Sequence, residues 1–380
     1  MSSYTIFDNP ERLKCILNES HPDSFGENLK KSFEEEKSYY SKADRIICLS
    51  DYMKKILCSD YGLDTTKISV VPNGLTDQGF QKIAGLARND ARSSGCNDDI
   101  IQMRKKWHIP SSEKIIFFAG RLDEVKGVSY LIKAFREVLN QYSNCRLIIA
   151  GSGDFDKYMR EAKELSAKIS FTGLLDRNDL YEIYQIANVG VVPSLFEPFG
   201  YVAVEMMMHK LSVVATSTSG LNEVVDESCG LKIPITVLPD SVEVDVSILA
   251  KKIVYLLQNP VEAKQFGRNG RKRYLEKYTS KVFRNNMLKL YQAVCSEDDS
   301  KIKTLIITGQ NSHHWEISHF ALKQILENSG LFTVDVAISP VSGGMMSNFK
   351  PDFASYQLVV LDYTGDRWPE ETENSFFEFC

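Results

Sequence analysis

The sequence lacks the features that mark membrane, secreted or nucleic-acid-binding proteins. Its 380 residues contain no apolar run as long as a membrane span, and the N-terminus has no charged segment followed by an apolar one. Lysine and arginine total 45 against 50 acidic residues, whereas general nucleic-acid binding needs a strong basic excess. We therefore expect a cytoplasmic protein with no transmembrane span and no nucleic-acid partner.

The sequence also lacks paired cysteines. Its eight cysteines stand singly, with no Cys-x-x-Cys pair and no metal-ligand spacing. Several, such as Cys48 and Cys145, lie in or beside apolar strands and are expected to be small core residues. This usage fits a reducing compartment better than a disulfide framework. We expect no bound metal.

Between residues 112 and 295, short apolar runs alternate with amphipathic stretches. Helical spacing of apolar residues is clear in 128–139 and 180–187. Strands separated by helices require crossover connections, which give a parallel sheet covered on both faces. The pattern predicts a Rossmann-like α/β domain. Its expected strands are Ile115–Ala119, Arg146–Ala150, Ile169–Thr172, Val189–Val192 and Ser212–Ala215.

The flanking regions predict partial domains. Residues 1–75, with expected strands Arg45–Leu49 and Ile68–Val71, are too few for a whole sugar-binding Rossmann domain, so we expect a C-terminal remnant of one. Residues 76–111 are expected to be a linker or insertion. After a charged hinge, residues 302–380 begin a second α/β unit. This unit has expected strands Thr304–Thr308, Thr333–Ala337 and Leu358–Leu361 and a helix His319–Asn328.

The most informative motif runs from Glu197 to Glu205. It follows an apolar strand, and it places one carboxylate at the mouth of a helix and a second about two turns further on. At 100° per residue, the two would lie on nearly the same side of that helix. A carboxylate accepts two sugar hydroxyls, and the free N–H groups of a helix start hold phosphate. A solvent-facing glutamate explains Glu205 alone, but it explains the intervening Pro-Phe-Gly poorly.

A second motif, Arg121 to Gly127, follows the strand that ends at Gly120. Two cations five residues apart, Arg121 and Lys126, can clamp a diphosphate at the edge of a parallel sheet. Taken alone, two solvated surface charges would be the better interpretation.

Glycine-containing polar loops follow the other expected strands. Their candidate ligand residues are Gly151, Gly153, Thr172, Gly173, Ser219 and Gly220. A plain turn explains Gly151 and Gly153 about as well, and a structural role is the better interpretation of Thr172 and Gly173 taken alone, but together the strand ends favour a binding site. His209 is expected on a helix surface, and His313, His314 and Trp315 are expected to be loop residues without a catalytic role.

Together, these motifs resemble the C-terminal, donor-binding half of a retaining glycosyltransferase of family four (glycosyl transferases group 1), which has the two-domain GT-B fold. The resemblance covers about residues 40–292. It includes Pro72-Asn73-Gly74, Arg121 to Gly127, Ser194 to Glu205 and the segment 220–225.

The resemblance implies roles for these residues. Arg121 and Lys126 would hold the diphosphate, Glu197 would contact the donor sugar and Glu205 the ribose. Backbone N–H groups of Phe199, Gly200 and Tyr201 would assist. No cofactor or metal would be needed. The partners would be a nucleotide-sugar donor and a saccharide or glycoconjugate acceptor, with peripheral membrane contact if the acceptor is lipid-linked.

The chain departs from the family in two respects. His209-Lys210 and Ser212 replace a usual Gly and a usual Pro, and the family's first glycine-rich loop and acceptor-contacting residue have no counterpart. Residues 302–380 resemble the first half of a trehalose-utilisation (ThuA-like) domain, with a partial flavodoxin-like fold. The sequence thus predicts a hexosyl- or other glycosyltransferase. A non-catalytic sugar-nucleotide-binding scaffold, or sugar metabolism by the ThuA-like unit, remains an alternative.

Overall fold

A computed structural model describes residues 24–77, 94–238, 241–294, 301–310 and 314–380. The described residues divide into two units. The first comprises those up to Glu34 together with Arg45–Leu288, and the second comprises Glu35–Asp44 and Lys289–Cys380.

The first unit begins with a small parallel pair of strands. Its elements are α1 (Ser24–Lys42, which continues into the second unit), β1 (Ile46–Cys48), α2 (Asp51–Ser59) and β2 (Ile68–Val70). Strands β1 and β2 are parallel, as expected for consecutive strands joined by a helix. The hydroxyl of Ser50 caps α2 by accepting from the N–H of Met53. Both strands predicted in this region are confirmed.

The centre of the first unit is a six-stranded parallel sheet. Its strands are β3 (Lys114–Ala119), β4 (Cys145–Ala150), β5 (Ile169–Gly173), β6 (Val189–Val192), β7 (Val213–Thr216) and β8 (Gly230–Ile233). Their spatial order is β5-β4-β3-β6-β7-β8, and every neighbouring pair is parallel. The Rossmann-like prediction is confirmed, and the five predicted strands are correct to within one residue at each end. Strand β8 was not predicted, because four residues with a Gly and a Lys show no clear period.

Helices cover both faces of this sheet. They are α3 (Ser94–Lys106), α4 (Val128–Gln141), α5 (Phe155–Glu161), α6 (Arg177–Ile186), α7 (Tyr201–Met208), α8 (Leu221–Val224), α9 (Val246–Gln258) and α10 (Pro260–Lys277). Helix α11 (Ser280–Val294) follows α10 along the chain and ends in the second unit. A short antiparallel pair, β9 (Ile235–Val237) and β10 (Val242–Val244), lies beside it.

Strand β3 shows why helices must pack on both faces of the sheet. Ile116 and Phe118 join the core cluster that contains α4 and α9, whereas Ile115 and Phe117 join the cluster that contains α6 and α7. None of the four side chains is more than 1% exposed. A parallel strand buried on both faces is continuously apolar, which is the pattern that the sequence shows there.

The connection predicted after residue 75 is corrected in part. Residues 78–93 lie outside the described residues, but Ser94–Lys106 form helix α3. Ile100 and Met103 pack against the sheet, and Trp107 continues this contact. Three apolar residues at intervals of three and four are enough to anchor a helix, although the surrounding stretch is polar.

The second unit has a three-stranded parallel sheet. Its elements are β11 (Ile302–Thr308), α12 (Trp315–Asn328), β12 (Phe332–Ile338), β13 (Leu358–Leu361) and α13 (Glu370–Phe379). The order β12-β11-β13 agrees with the first three strands of the flavodoxin-like order 2-1-3-4-5, and the flavodoxin-like assignment stays a prediction. The three predicted strands are confirmed, whereas the helix begins at Trp315 rather than His319. Whether residues 302–380 are ThuA-like stays a prediction.

An ion cluster around the buried carboxylate of Glu113 links the N-terminal ends of strands β3, β4 and β5. Glu113, 4% exposed, accepts from Nε of Arg146 at 2.9 Å and from Nζ of Lys168 at 2.6 Å. Burial by itself raises the pKa of Glu113, but the hydrogen bonds and charges of Lys168 and Arg146 outweigh it, so the pKa lies below its usual value. The carboxylate therefore stabilises the fold above its unfolded-state pKa, and this stability is lost as the pH falls through the lower folded-state value.

We expect Glu113→Ala to lower the free energy of unfolding at pH 7 by about 1–3 kcal/mol, the range for charged hydrogen bonds. Because the stability conferred by Glu113 is lost in acid, the difference from the wild type should shrink below about pH 4. Urea denaturation at pH 7 and below about pH 4 measures the difference in unfolding free energy between the variant and the wild type. Glu164→Ala, which breaks an exposed ion pair with Arg136, is the control and should change little. Equal losses in the two variants would contradict this account.

Candidate active site

The strand order places the candidate site between β3 and β6. From β3 the chain adds strands outward to β5, then returns to the other side of β3 with β6. In open α/β sheets, ligands bind outside the carboxyl ends of the strands at such a reversal. The loop from Gly120 to Gly127 follows β3, and the loop from Pro193 to Gly200 follows β6. The two principal sequence motifs therefore meet at the position where this fold binds ligands.

The backbones of these two loops are in contact. The N–H of Leu195 donates to the carbonyl oxygen of Val125 at 2.7 Å. Gly127 begins α4 with a positive φ of 71°, and a Cβ there would lie 2.0 Å from the carbonyl oxygen of Pro193. Only glycine permits both this conformation and this approach.

The contact brings Lys126 and Glu197 together. Lys126 Nζ lies 2.5 Å from Glu197 Oε2, and the two side chains are 19% and 17% exposed. The backbone N–H of Lys126 donates to Asp123 Oδ1 at 3.0 Å. Predicted as separate features, the lysine and the glutamate form one charged pair that faces a partly open site.

Arg121 is held differently from Lys126. Its side chain is 59% exposed, and its guanidinium lies 3.1 Å from Asp123 Oδ2. Asp123 thus orients both cations, the arginine through its side chain and the lysine through its backbone. An exposed arginine fork keeps donors available to an incoming anion. The sequence prediction had given Asp123 no role.

A third loop fixes the position of Glu197. Ser219 Oγ accepts from the N–H of Glu197 and donates to its carbonyl oxygen, both at 2.8 Å. Thr218 Oγ1 donates to the carbonyl oxygen of Leu195 at 2.8 Å. A Cβ on Gly220 would lie 1.9 Å from the carbonyl oxygen of Pro198, so glycine is required there. Ser219 and Gly220, predicted to contact a donor, hold the loop that carries Glu197.

The helical relation predicted between Glu197 and Glu205 is wrong. Helix α7 begins at Tyr201, after Gly200 at a φ of 99°, so Glu197 lies in the preceding loop. The count of 100° per residue does not apply across that loop. Gly200, which precedes α7, has no side chain that could accept hydrogen bonds from the first N–H groups of the helix. The positive end of the α7 helix dipole is therefore not capped by a side chain of that residue. Phe199 is buried at 3% exposure, and Tyr201 beside it is 44% exposed.

Glu205 lines a pocket of about 280 Å³ beyond the ends of β3 and β4. The pocket also contains Gly120, Arg121 and Gly151 from the prediction. Its walls are mostly apolar, which suits a flat ring. The remaining lining residues are Ala119, Ala150, Ser152, Leu174, Leu175, Leu180 and Val202. Glu197 and Lys126 are not among the lining residues, so the predicted residues fall into two neighbouring groups.

The carboxylate of Glu205 has one buried hydrogen-bond donor. Tyr184 in α6 donates from its hydroxyl to Glu205 Oε2 at 3.0 Å. Burial raises the pKa of Glu205, and the hydrogen bond from Tyr184 and the charge of Arg177 oppose that rise only in part. Burial likewise raises the pKa of Tyr184 well above its usual value, with the charge of Glu205 adding to the effect. The carboxylate is therefore paired, as the apolar setting required.

The remaining predicted glycines shape the strand ends. The N–H of Gly151 donates to the carbonyl oxygen of Gly173 at 2.8 Å, and Gly153 forms a bridge with Leu122. The hydroxyl of Thr172 donates to the carbonyl oxygen of Gly173 at 3.0 Å. These residues join the loops after β3, β4 and β5, and of this group only Gly151 lines the pocket.

The surface position predicted for His209 is wrong. The ring is 5% exposed, and Nδ1 lies 2.8 Å from the carbonyl oxygen of Glu205. Burial lowers the pKa of His209 to about 4, so the ring is neutral at pH 7. Helix α7 ends at Met208, and the residue that follows turns inward instead of continuing the helical surface. His313 lies outside the described residues.

The described ranges contain neither a membrane-spanning helix nor a metal-binding cluster. No helix there is long and apolar enough to cross a bilayer. No cluster of three or more His, Cys, Asp or Glu side chains there is arranged to hold a metal ion.

Sequence reasoning missed Tyr184 because its spacing marks it only as part of a buried helical face. The available signal was its hydroxyl, since a buried tyrosine usually finds a hydrogen-bond partner. Leu174 and Leu175, which line the pocket, follow a predicted strand, but their apolar character carried no functional signal.

Comparison with known proteins finds that two regions of this chain are similar to glycosyltransferases. Residues 99–273 match the family model described as "Glycosyl transferases group 1", and residues 19–78 match "Glycosyltransferase Family 4". An uncharacterised glycosyltransferase of Methanocaldococcus jannaschii is 34% identical over 184 residues, which are 48% of this chain and 44% of that protein. D-inositol 3-phosphate glycosyltransferase of Corynebacterium jeikeium is 31% identical over 201 residues, 50% of this chain and 45% of the relative. The chain spans about half the length of these curated relatives.

Solved structures show the same fold. Sucrose-phosphate synthase from Thermosynechococcus elongatus superimposes with a TM-score of 0.57 at 26% identity, covering 70% of this chain and 62% of that one. The expected GT-B type of α/β fold is confirmed. Retention of configuration and the individual residue roles stay predictions.

We expect Glu205→Gln to stabilise the protein at pH 7 by about 0.5–2 kcal/mol, the usual gain from one stabilising substitution, because the buried charge is removed. Because the pKa of Glu205 is raised, the folded state binds more protons than the unfolded state between the usual and the raised value. Wild-type stability therefore falls as the pH rises through that interval, whereas the glutamine variant does not titrate. Urea denaturation should therefore show a difference in unfolding free energy between the variant and the wild type that disappears as the pH is lowered towards 4.

Glu164→Gln, at an exposed carboxylate with 78% side-chain exposure, is the matched control and should show no such gap. A Glu205→Gln variant that is less stable than the wild type at pH 7 would contradict the prediction.

Proposed function

We propose that this chain, whose residues 99–273 match the group 1 glycosyl transferases, binds a nucleoside-diphosphate sugar and transfers the sugar with retention of its anomeric configuration. The acceptor is a hydroxyl of a saccharide or glycoconjugate. The observation that carries the proposal is the meeting of Lys126 and Glu197 at the reversal of strand order, beside the pocket lined by Arg121 and Glu205.

The diphosphate would lie between Arg121, Lys126 and the start of α7. Arg121 offers a planar fork, Lys126 a point charge, and α7 the positive end of its helix dipole. As the bond to the sugar breaks, negative charge grows on the diphosphate, and preorganised positive groups stabilise that charge. Asp123 serves the same step by keeping both cations in place.

The sugar and the ribose would occupy opposite ends of this arrangement. Glu197, already paired with Lys126, lies where it can accept hydroxyls of the sugar while the lysine contacts the neighbouring phosphate. Glu205 lies among apolar pocket walls, which suits a nucleoside whose base stacks on Leu174 or Leu175 and whose ribose hydroxyls donate to the carboxylate.

Support for an acceptor of this class comes from the relatives. One is named for transfer to D-inositol 3-phosphate, which is a polyhydroxylated molecule. The region matched by the family four model, residues 19–78, would belong to the acceptor side. A cytoplasmic location and peripheral contact with membranes through a lipid-linked acceptor are further parts of the prediction.

Isothermal titration with UDP, GDP and ADP tests the proposal. We expect at least one to bind, and we expect Arg121→Ala to weaken that binding by about tenfold, because a charge-assisted contact to phosphate is lost. Arg121 is 59% exposed, so the substitution should leave the fold intact. Arg136→Ala, at an arginine that is also exposed and ion-paired, is the matched control. A folded wild-type chain that binds none of the three nucleotides would sink the proposal.

We also expect nucleotide binding without a divalent metal. Since Arg121, Lys126 and the helix dipole supply positive charge, chelation with EDTA should change the dissociation constant by less than about twofold. The measurement repeats the titration in EDTA and in excess Mg²⁺. Loss of binding in EDTA that is restored by Mg²⁺ would show that a metal carries part of the diphosphate contact.

A further inference from the structure

A buried tyrosine, Tyr184, donates a hydrogen bond to the carboxylate of Glu205. Tyr184 is 1% exposed, and its hydroxyl donates to Glu205 Oε2 at 3.0 Å. Glu205 also lines the pocket that opens beyond the ends of β3 and β4. Tyr184 itself is not among the lining residues, and its hydrogen bond to Glu205 connects it to the pocket.

The ring of Tyr184 has little freedom to move. Phe117 of β3 meets it edge-on, with ring centroids 5.3 Å apart and planes at 74°. The ring of His209 stacks against it, with centroids 5.3 Å apart and planes at 29°. Packing of this kind holds a side chain in a single rotamer.

His209 ties this packing to the backbone of Glu205 itself. Its Nδ1 lies 2.8 Å from the carbonyl oxygen of Glu205, and its ring contacts Tyr181 with centroids 4.6 Å apart. The tautomer that carries hydrogen on Nδ1 satisfies this contact. The side chain and the main chain of Glu205 are therefore both held by neighbours that belong to the core of the domain.

A fixed carboxylate differs in binding from a mobile one. Glutamate loses rotamer freedom when a ligand immobilises it, and this entropy cost weakens binding. If the protein has already fixed the carboxylate, the ligand does not incur that cost. Each carboxylate oxygen has two acceptor positions, so the single bond from Tyr184 leaves capacity for both hydroxyls of a ribose.

We infer that Tyr184 is a positioning residue for nucleotide binding, whose hydroxyl holds Glu205 in the rotamer that accepts the ribose hydroxyls. This inference rests on the proposed function. It adds a residue outside the pocket to the determinants of donor affinity, and it predicts that the residue acts only on ligands that carry ribose hydroxyls.

The test compares Tyr184→Phe with the wild type against two ligands. The first is whichever of UDP, GDP or ADP the wild type binds, and the second is the 2′,3′-dideoxy form of the same nucleotide. The variant keeps the packed ring and loses only the hydroxyl, so we expect about three- to tenfold weaker binding of the ribose form, the usual range for one hydrogen bond. For the dideoxy form we expect a change of less than about twofold, within the usual scatter of such comparisons.

Tyr158→Phe is the matched control. Tyr158 is fully buried in α5, and its hydroxyl finds no hydrogen-bond partner in the described part of the chain. Removing it should leave the affinity for both ligands unchanged. Equal weakening of both ligands in Tyr184→Phe would indicate a general structural effect and overturn the inference, as would unchanged binding of the ribose form.

A double-mutant cycle gives a second, independent test. In a Glu205→Ala background, Tyr184→Phe should cause no further loss of affinity for the ribose nucleotide, because the residue through which it acts is gone. Additive losses would overturn the inference. Absence of any nucleotide binding by the wild type would refute the proposed function, and the inference with it. If instead the wild type and the Tyr184→Phe variant bind the ribose nucleotide equally well, only the inference about Tyr184 is refuted and the proposed function is not.

Discussion

Close approach of backbone between neighbouring loops is the constraint on which the candidate site depends. At Gly127 the loop after β3 lies against the carbonyl oxygen of Pro193, and at Gly220 the loop after β7 lies against that of Pro198. Any side chain at these points would push the loops apart. Because they stay in contact, Lys126 reaches Glu197, and Ser219 bonds both backbone groups of that glutamate. Glycine at two positions thus sets the spacing of three separate loops, two of which carry the charged pair Lys126 and Glu197.

A second feature is a compromise between stability and binding. Glu205 lies where burial disfavours its charge, and the raised pKa records that cost. Tyr184 offsets part of the cost with one hydrogen bond, and Glu205 also lines the pocket. Natural sites often keep groups that are poorly satisfied until a ligand arrives, at the expense of folding stability. Glu113 shows the opposite arrangement, since two cations outweigh its burial and its pKa falls.

Sequence patterns predicted the central sheet well because strands such as β3 and β6 are buried on both faces and therefore continuously apolar. They failed where contacts between distant elements decide the outcome. His209 follows a helix and looks exposed by position, yet it packs on Tyr181 and Tyr184, which lie in another helix. Glu197 and Glu205 were placed on one helix because spacing along the chain cannot show that Gly200, at a positive φ, begins the helix after Glu197.

The sequence by itself determined the type of fold and the chemistry of the site. Alternation of apolar and amphipathic segments specifies a parallel sheet, and charged or glycine-rich residues at the strand ends predict an anion and hydroxyl site. Only the tertiary structure decided which of these residues act together. It paired Lys126 with Glu197, and it placed Tyr184 behind Glu205. The physical reason is that spacing along a chain constrains only near neighbours, whereas these contacts join residues from different loops and helices whose distances are set by the packing of the whole sheet.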